Sequence, residues 1–528
     1  MPRKTTGEFA WTAGAIAWVL AAVAARPLVG SDPLLVAAQA IIETAPGSLA
    51  TWAIETFGIA AQTVLVAGVG VGIVIAAGIV GAIGDRVELP RARRGRILWI
   101  AAVGLVTATA GGFYLAAGGV SFRWLLATAI ALTGPGAVWW IYAGARKPVG
   151  RRRALGRIGG GISAVVAGGA IARLIGQPAA EDSPQPGEAL DFGEKTGTGT
   201  TTPTPTRATG EGTLESQRST DGVVVSIAND ERDFAFDFEG MPPQRHTAEE
   251  HFVVDKNVRS PNVAAGNWSL SIRGAVEDEI DVAYETLRDH PDRRELTVTT
   301  LCISNGVGGD LIGTTDWVGI PVRTLLEEAG VTDDAVDVVT HARDGYSEAI
   351  PWSVVRDRED IILAIGMDGK TLPREHGFPV RLLVPGRYGM KSTKWITEIE
   401  LATGDHTAYW EQRGWDEEAV VNTLSYVRAI QRRDDRVAIG GIAYAGTRGI
   451  ERVEVSLDDG DTWTDATLEE AVSPHARRRW QLVVDRPDSG PLDVVVRATD
   501  GEGHRQTSET APPHPSGSTG WHSITVSL

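Results

Sequence analysis

The sequence predicts a multi-domain chain: an N-terminal transmembrane α-helical bundle, a mixed α+β domain, and a C-terminal all-β immunoglobulin-like sandwich. Three observations predict it. Apolar stretches of bilayer-spanning length crowd the first third of the 528 residues, and a tract rich in Pro, Thr and Gly follows. Beyond that tract helix and strand patterns mix until about residue 430, and strand patterns alone remain after it. The divisions fall at 1–176, 177–215, 216–430 and 431–528.

The bundle rests on four stretches long enough to cross a bilayer, which takes about 20 residues: Phe9–Leu28, Ile59–Ile83, Ile97–Val120 and Trp124–Ala143. A fifth, Ala154–Ile175, is richer in Gly and Ala, and the mixed segment Asp32–Phe57 fits a helix lying on the interface. Loop charges orient the bundle. Arg86, Arg91, Arg93, Arg94 and Arg96 fill one loop and Arg146, Lys147 and Arg151–Arg153 another, while the alternate loops carry Arg26 and Arg123. The positive-inside rule places the N-terminus in the cytoplasm and, after five spans, the remainder outside the cell membrane. Arg151-Arg152-Arg153 reads either as an ordinary positive-inside cluster or as a twin-arginine signal for folded export. The spans hold no internal carboxylate, and all ten histidines lie at His246 or beyond, so the spans cannot hold a haem between paired histidines.

Charge divides unevenly. Residues 1–176 carry a net +10 and the remainder −27, with 7 Lys against 43 Arg. An acidic soluble half repels the phosphate backbone, which argues against a nucleic-acid partner. Abundant acid with scarce lysine suits concentrated salt, the halophilic reading, although a coding bias toward arginine gives the same composition. Residues 177–215 have too few large apolar side chains to order themselves and read as a disordered linker.

Within 216–430, WSLSI (268–272) and VRLLV (380–384) read as strands, and VRTLLEEA (322–329) before Gly330 reads as a helix with a glycine stop. From Arg436 on, ERVEVSLDDGDTW alternates apolar and acidic residues around an Asp-Gly turn, followed by WQLVVD, LDVVVRATD and WHSITVSL at sandwich spacing.

Chemistry centres on Cys302, the sole cysteine, where the strand LTVTT opens into a glycine-rich loop. One thiol forms neither an internal disulfide nor a Cys-type zinc site. It is a buried apolar filler, a nucleophile, or one soft ligand to a metal that arrives inside a cofactor.

The run Met367–Trp395, MDGKTLPREHGFPVRLLVPGRYGMKSTKW, together with the surroundings of Cys302, resembles the sulfite oxidase family of molybdopterin enzymes. The likeness runs from about Phe252 to the C-terminus and is closest to membrane-anchored members of bacteria and archaea, with a haloarchaeal cast. It implies a sulfite-oxidase-type molybdopterin domain and a molybdenum–molybdopterin cofactor. Cys302 would ligate the metal. Tyr346 would stand beside the oxo group and Lys391 would attract an anionic substrate. His376, Arg381, Ser392, Thr393, Lys394 and Asp344 match residues that hold the pterin and its phosphate. Asp255, Lys256 and Asn257 sit at the family's first pterin-contacting loop with different identities. The family's arginines after the cysteine are replaced here by Ser304–Asp310, without a basic residue. The implied reaction is oxygen-atom transfer to or from a small sulfur oxyanion such as sulfite. Reduction of an S-oxide on the same scaffold is the alternative, and a non-catalytic surface module is the alternative of another class. No Cys cluster or haem-attachment motif marks a second redox site in this chain, so a separate electron carrier (a cytochrome, another small redox protein or a quinone) is implied, and the terminal sandwich implies a homodimer.

Overall fold

The computed structural model describes residues 184–190, 215–218, 223–227, 236–257, 260–433, 435–486 and 491–527. The five candidate spans and most of the linker lie outside these residues. Among the described residues no helix is long and apolar enough to cross a membrane. The chain divides into two compact units, residues 1–181 with 256–259, and residues 182–255 with 260–528. Every strand and helix named below belongs to the second.

In chain order the strands are β1 (Glu215–Arg218), β2 (Val224–Ile227), β3 (Ser269–Gly274), β4 (Ile280–Ala283), β5 (Arg294–Leu301), β6 (Ile312–Pro321), β7 (Asp337–Ala342), β8 (Ser347–Pro351), β9 (Ile362–Met367), β10 (Lys370–Thr371), β11 (Arg381–Leu383) and β12 (Ile396–Ala402). Three helices accompany them: α1 (Tyr284–Arg288), α2 (Val322–Ala329) and α3 (Trp352–Val355). Two five-stranded sheets result. One joins β10, β9, β6 and β5, with β11 on β9; the other runs β4-β3-β12-β7-β8. Both bury apolar faces in one core that includes Leu270, Ile272, Val298, Trp317, Leu363, Leu382 and Ile399. Helix α2 inserts Val322, Leu325, Leu326 and Ala329, an i, i+3, i+4, i+7 stripe, and stops at Gly330 with φ +69°. That matches the helix and stop expected from VRTLLEEA-G.

The rest is a two-sheet sandwich: β13 (Leu424–Arg433), β14 (Arg436–Tyr444), β15 (Ile450–Ser456), β16 (Thr464–Asp465), β17 (Thr467–Leu468), β18 (Arg478–Asp485), β19 (Pro491–Asp500) and β20 (His522–Ser527). The sheets β1-β2-β13-β14-β18-β17 and β16-β15-β19-β20 enclose Val427, Ile439, Val453, Trp480, Val494 and Ile524. The expected hairpin forms, with β15 and β16 antiparallel around Asp459-Gly460. Two features depart from the sequence reading. Strand β13 runs through residue 431, where that reading changes domain, and β2, which that reading sets inside the α+β domain, pairs in parallel with β13. An alternating strand pattern states which face is buried, not which sheet the strand joins.

Candidate active site at the sole cysteine

Cys302 follows the last residue of β5, and the loop 302–311 returns to β6 with Leu301 opposite Ile312. Cys302 donates its N–H to the Leu311 carbonyl at 3.0 Å, and Asn305 Oδ1 accepts from the Leu311 N–H at 2.9 Å. Leu301 and Ile303, on either side of the cysteine, enter an apolar cluster with Tyr388, Trp415, Tyr426 and Tyr444, which anchors the loop where the two domains meet. At Gly308, with φ +77°, a Cβ would lie 2.6 Å from the His522 ring, so only glycine fits there. The Cys302 thiol is half-buried, 3.0 Å from Ser304 Oγ. Burial pushes its pKa up, while the Ser304 hydrogen bonds and the charge of Lys394 pull the other way.

Lys394 is the cation whose charge reaches this thiol, and a second cation, Arg381, is buried in the same run of sequence. Arg381, at the start of β11, is buried, and its guanidinium donates to the carbonyls of His376 (3.2 Å) and Ser392 (3.0 Å) and lies 5.1 Å from the Trp317 ring centre. Among the described residues no carboxylate pairs with it, and burial lowers its pKa to about 10. Lys394 donates to the Glu375 carbonyl at 2.9 Å and pairs with Asp255 at 3.2 Å. His376 Nε2 donates to the Ala248 carbonyl at 3.1 Å, which leaves Nδ1 as an acceptor. Burial holds its pKa down to about 2, helped by the charges of His251, Lys394 and Arg381. Gly377, φ +110°, makes the turn after His376, where a Cβ would lie 3.1 Å from the Cβ atoms of Arg381 and Lys394. A buried guanidinium satisfied only by carbonyls, with a lysine beside it, favours an anion, while the neutral His376 offers Nδ1 as an acceptor to a neighbouring N–H. The residues therefore fit a phosphate-bearing group that brings its metal to a soft thiol.

Each expected residue can be placed. Asp344 is half-buried and its carboxylate accepts the Tyr346 N–H at 3.1 Å. Thr393 is spent on Thr340, 2.6 Å away. The Ser392 N–H goes to the Gly389 carbonyl, and its hydroxyl accepts from the Val384 N–H at 3.0 Å, which holds the loop and leaves the O–H proton to donate. Lys256 and Asn257 group with the first unit and not with the second. Lys391 has more internal partners. It is buried, and its ammonium donates to Glu348 Oε1 (2.7 Å), Glu411 Oε1 (2.5 Å) and the Ala349 carbonyl (2.9 Å). Its three protons are all placed inside the protein, where the sequence reading gave them to an anionic substrate.

Other residues of the site carry no local sequence signal. Arg428, on β13, reaches across to the cysteine loop and donates to the carbonyls of Gly308 (2.7 Å) and Gly309 (2.6 Å), with Asp310 at 3.0 Å. The loop without a basic residue thus receives one from the sandwich, 118 residues away. Histidine 251 sits edge-on to His376, with Nδ1 3.1 Å from the Phe252 carbonyl and Nε2 3.1 Å from Thr300 Oγ1. Burial lowers its pKa to about 3.

These two histidines set an acid limit on stability. Unfolded, each titrates near 6.5; folded, each stays neutral to about 3 or below. The unfolded chain binds more protons in that window, so stability is present above pH 6.5 and declines as pH falls. The expected slope is up to about 1.4 kcal/mol per pH unit for each histidine. Denaturant melts at pH 7, 6 and 5 measure it, and His251→Gln should flatten the curve by one group's share.

The comparisons with known proteins follow the same geography. Residues 257–410 match the family model of the oxidoreductase molybdopterin binding domain, and residues 411–515 that of the Mo-co oxidoreductase dimerisation domain. The mitochondrial sulfite oxidase of Mus musculus is 28% identical over 312 residues, covering 49% of this chain and 57% of the relative. The NADH nitrate reductase of Solanum lycopersicum is 25% identical over 306 residues, covering 46% of this chain and 34% of the relative. The chain thus spans less than two thirds of the length of either. The solved sulfane dehydrogenase SoxCD of Paracoccus pantotrophus aligns with a TM-score of 0.46 at 24% identity, over 51% of this chain and 78% of that one.

Proposed function

Residues 257–515 belong to the sulfite oxidase-type molybdopterin oxidoreductase family, and from that premise we propose that the chain is a membrane-anchored enzyme moving an oxygen atom to or from a small sulfur compound outside the cytoplasm. The observation that carries the reading is a sole cysteine at a strand end that feels the charge of Lys394, in a fold that also buries the Arg381 guanidinium with no carboxylate, among the described residues, to neutralise it. Molybdenum–molybdopterin, when bound, supplies the two-electron oxygen-atom chemistry. Cys302 ligates it through sulfur. Arg381 and Lys394 hold its phosphate and His376 hydrogen-bonds the pterin. Tyr346 presents a hydroxyl, and Arg428 keeps the cysteine loop closed.

Sulfite is the first substrate to test, because the relatives that match over this region include sulfite oxidases, that of Mus musculus among them. Reduction of an uncharged S-oxide is the second reading, and one observation favours it. Lys391, the cation expected to attract an anion, is saturated by internal partners. The apolar first third supports anchoring in the cell membrane with the N-terminus inside. The match to a dimerisation domain supports a homodimer, and electrons pass to or from a separate carrier. The acidic soluble half supports work in concentrated salt.

The test is molybdenum content of the purified full chain, then two assays on it: sulfite with an artificial electron acceptor, and a sulfoxide with an artificial donor. We expect near-stoichiometric molybdenum and turnover in one assay. Folded protein without molybdenum or tungsten, made beside working pterin synthesis, would sink the enzyme reading in favour of a surface module.

A further inference from the structure

Behind Tyr346 lies a charge cluster assembled from three elements: Glu348 on β8, Lys391 in the turn 389–391, and Glu411 in the turn 411–413. The side chains of Glu348 and Lys391 are 0% and 2% exposed, and that of Glu411 is 2% exposed. One ammonium serves two carboxylates. Glu348 Oε1 also accepts from the Ala349 N–H at 3.0 Å, and Glu411 Oε2 from the Ala408 N–H at 2.6 Å. If both acids were ionised, an excess negative charge would be buried, which costs several kcal/mol unless a proton neutralises it.

The hydrogen bonding is one donor short in the same place. The Tyr346 hydroxyl lies 2.7 Å from Glu348 Oε2 and 2.7 Å from the Met390 carbonyl, two acceptors for one proton. A proton on Glu348 Oε2 completes the chain: the acid donates to the tyrosine oxygen, and the tyrosine donates to Met390. Without that proton the tyrosine turns to Glu348 and the Met390 carbonyl loses its donor. The facing groups agree. Burial raises the Glu348 pKa to about 7, with Lys391 opposing and Glu411 adding to it. Asp344 stands near Tyr346 and Asp416 acts on Lys391. The Tyr409 ring, under Arg413, lies 5.7 Å from that of Tyr346.

We propose that Glu348 is a positioning residue that stores one exchangeable proton behind Tyr346 and, by holding or releasing it, sets the direction of the Tyr346 O–H. The step moves one proton and no electron. The Glu348 O–H bond breaks and its proton passes to a base in bulk water, while the Tyr346 hydroxyl keeps its own proton and turns it from the Met390 carbonyl to the ionised Glu348 Oε2. The link to turnover rests on the oxygen-transfer reading, since that chemistry exchanges protons as it moves electrons; the proton store itself does not.

Infrared difference spectra of the full, cofactor-loaded chain from pH 5 to 9 test it. Wild type should lose one protonated-carboxyl band with a midpoint near 7, and Glu348→Gln should lack that band. In the substrate assay, wild type should show an inflection at the same pH, and Glu348→Gln a profile flat there. Should Glu348→Gln fail to fold, Tyr346→Phe gives the second reading. It removes a hydrogen bond to the ionised acid, so the band's midpoint should rise by several tenths of a pH unit or more. Absence of a titrating buried carboxyl in wild type, or its persistence in Glu348→Gln, overturns the proposal. The band needs no turnover, so loss of the enzyme reading and loss of the proton store are told apart.

Discussion

Cys302→Ala will fold like wild type and lose turnover by on the order of a thousandfold or more, the scale of removing one directly engaged group from a preorganised site. The loop survives because its geometry depends little on sulfur. The backbone bond from Cys302 to Leu311, the Asn305 side chain on Leu311, and the Arg428 donors to Gly308 and Gly309 all remain. Thermal melts should therefore shift little. Molybdenum content should fall less than activity, because in the proposed site Arg381 and Lys394 would still hold the cofactor's phosphate and His376 its pterin. Metal analysis, melts and turnover on the same preparation separate these effects. Wild-type activity in the alanine variant would mean the thiol is only a filler.

Lys391→Met will be the most destabilising of the single changes considered, by about 3–5 kcal/mol near pH 8, because it strands two buried carboxylates without their cation. The loss should shrink as pH falls. Glu348 already sits at about 7, above its unfolded value, through burial. Removing the ammonium raises it further, so acid lets both carboxyls protonate and relieves the repulsion. Denaturant titrations at pH 8 and 5.5 give the comparison. Adding Glu348→Gln and Glu411→Gln should restore most of the stability at pH 8. An unchanged midpoint in Lys391→Met at pH 8 would mean that water, not lysine, satisfies these acids.

The contrast between these two positions marks what the chain reveals before it folds. LTVTT lies within β5, Val322–Ala329 is a helix ended by Gly330, and Asp459-Gly460 turns the β15–β16 hairpin. Each is a local pattern written in consecutive residues. The gathering of His376, Arg381 and Lys394 also follows one continuous run. The Lys391 pairs do not, because Glu348 and Glu411 stand 43 and 20 residues from it. In SEAIP the glutamate looks like any exposed strand position; only the return of the 389–391 turn over β8 buries it. Arg428 was hidden for the same reason, since a strand arginine names no distant loop. The candidate membrane spans remain expectations of hydropathy and loop charge, outside the described residues.

The parallel pairing of β2 with β13 carries a consequence for synthesis. Gln431 and Ser226 meet across 205 residues, so the earlier strand leaves the ribosome about 10–40 s before its neighbour exists. Through that interval it is an unsatisfied edge awaiting a template. The sandwich therefore cannot be completed by the end of the chain alone, nor can the segment ahead of the catalytic domain find its place early. A nascent chain released at residue 423 should be handled by chaperones and proteases as unfinished.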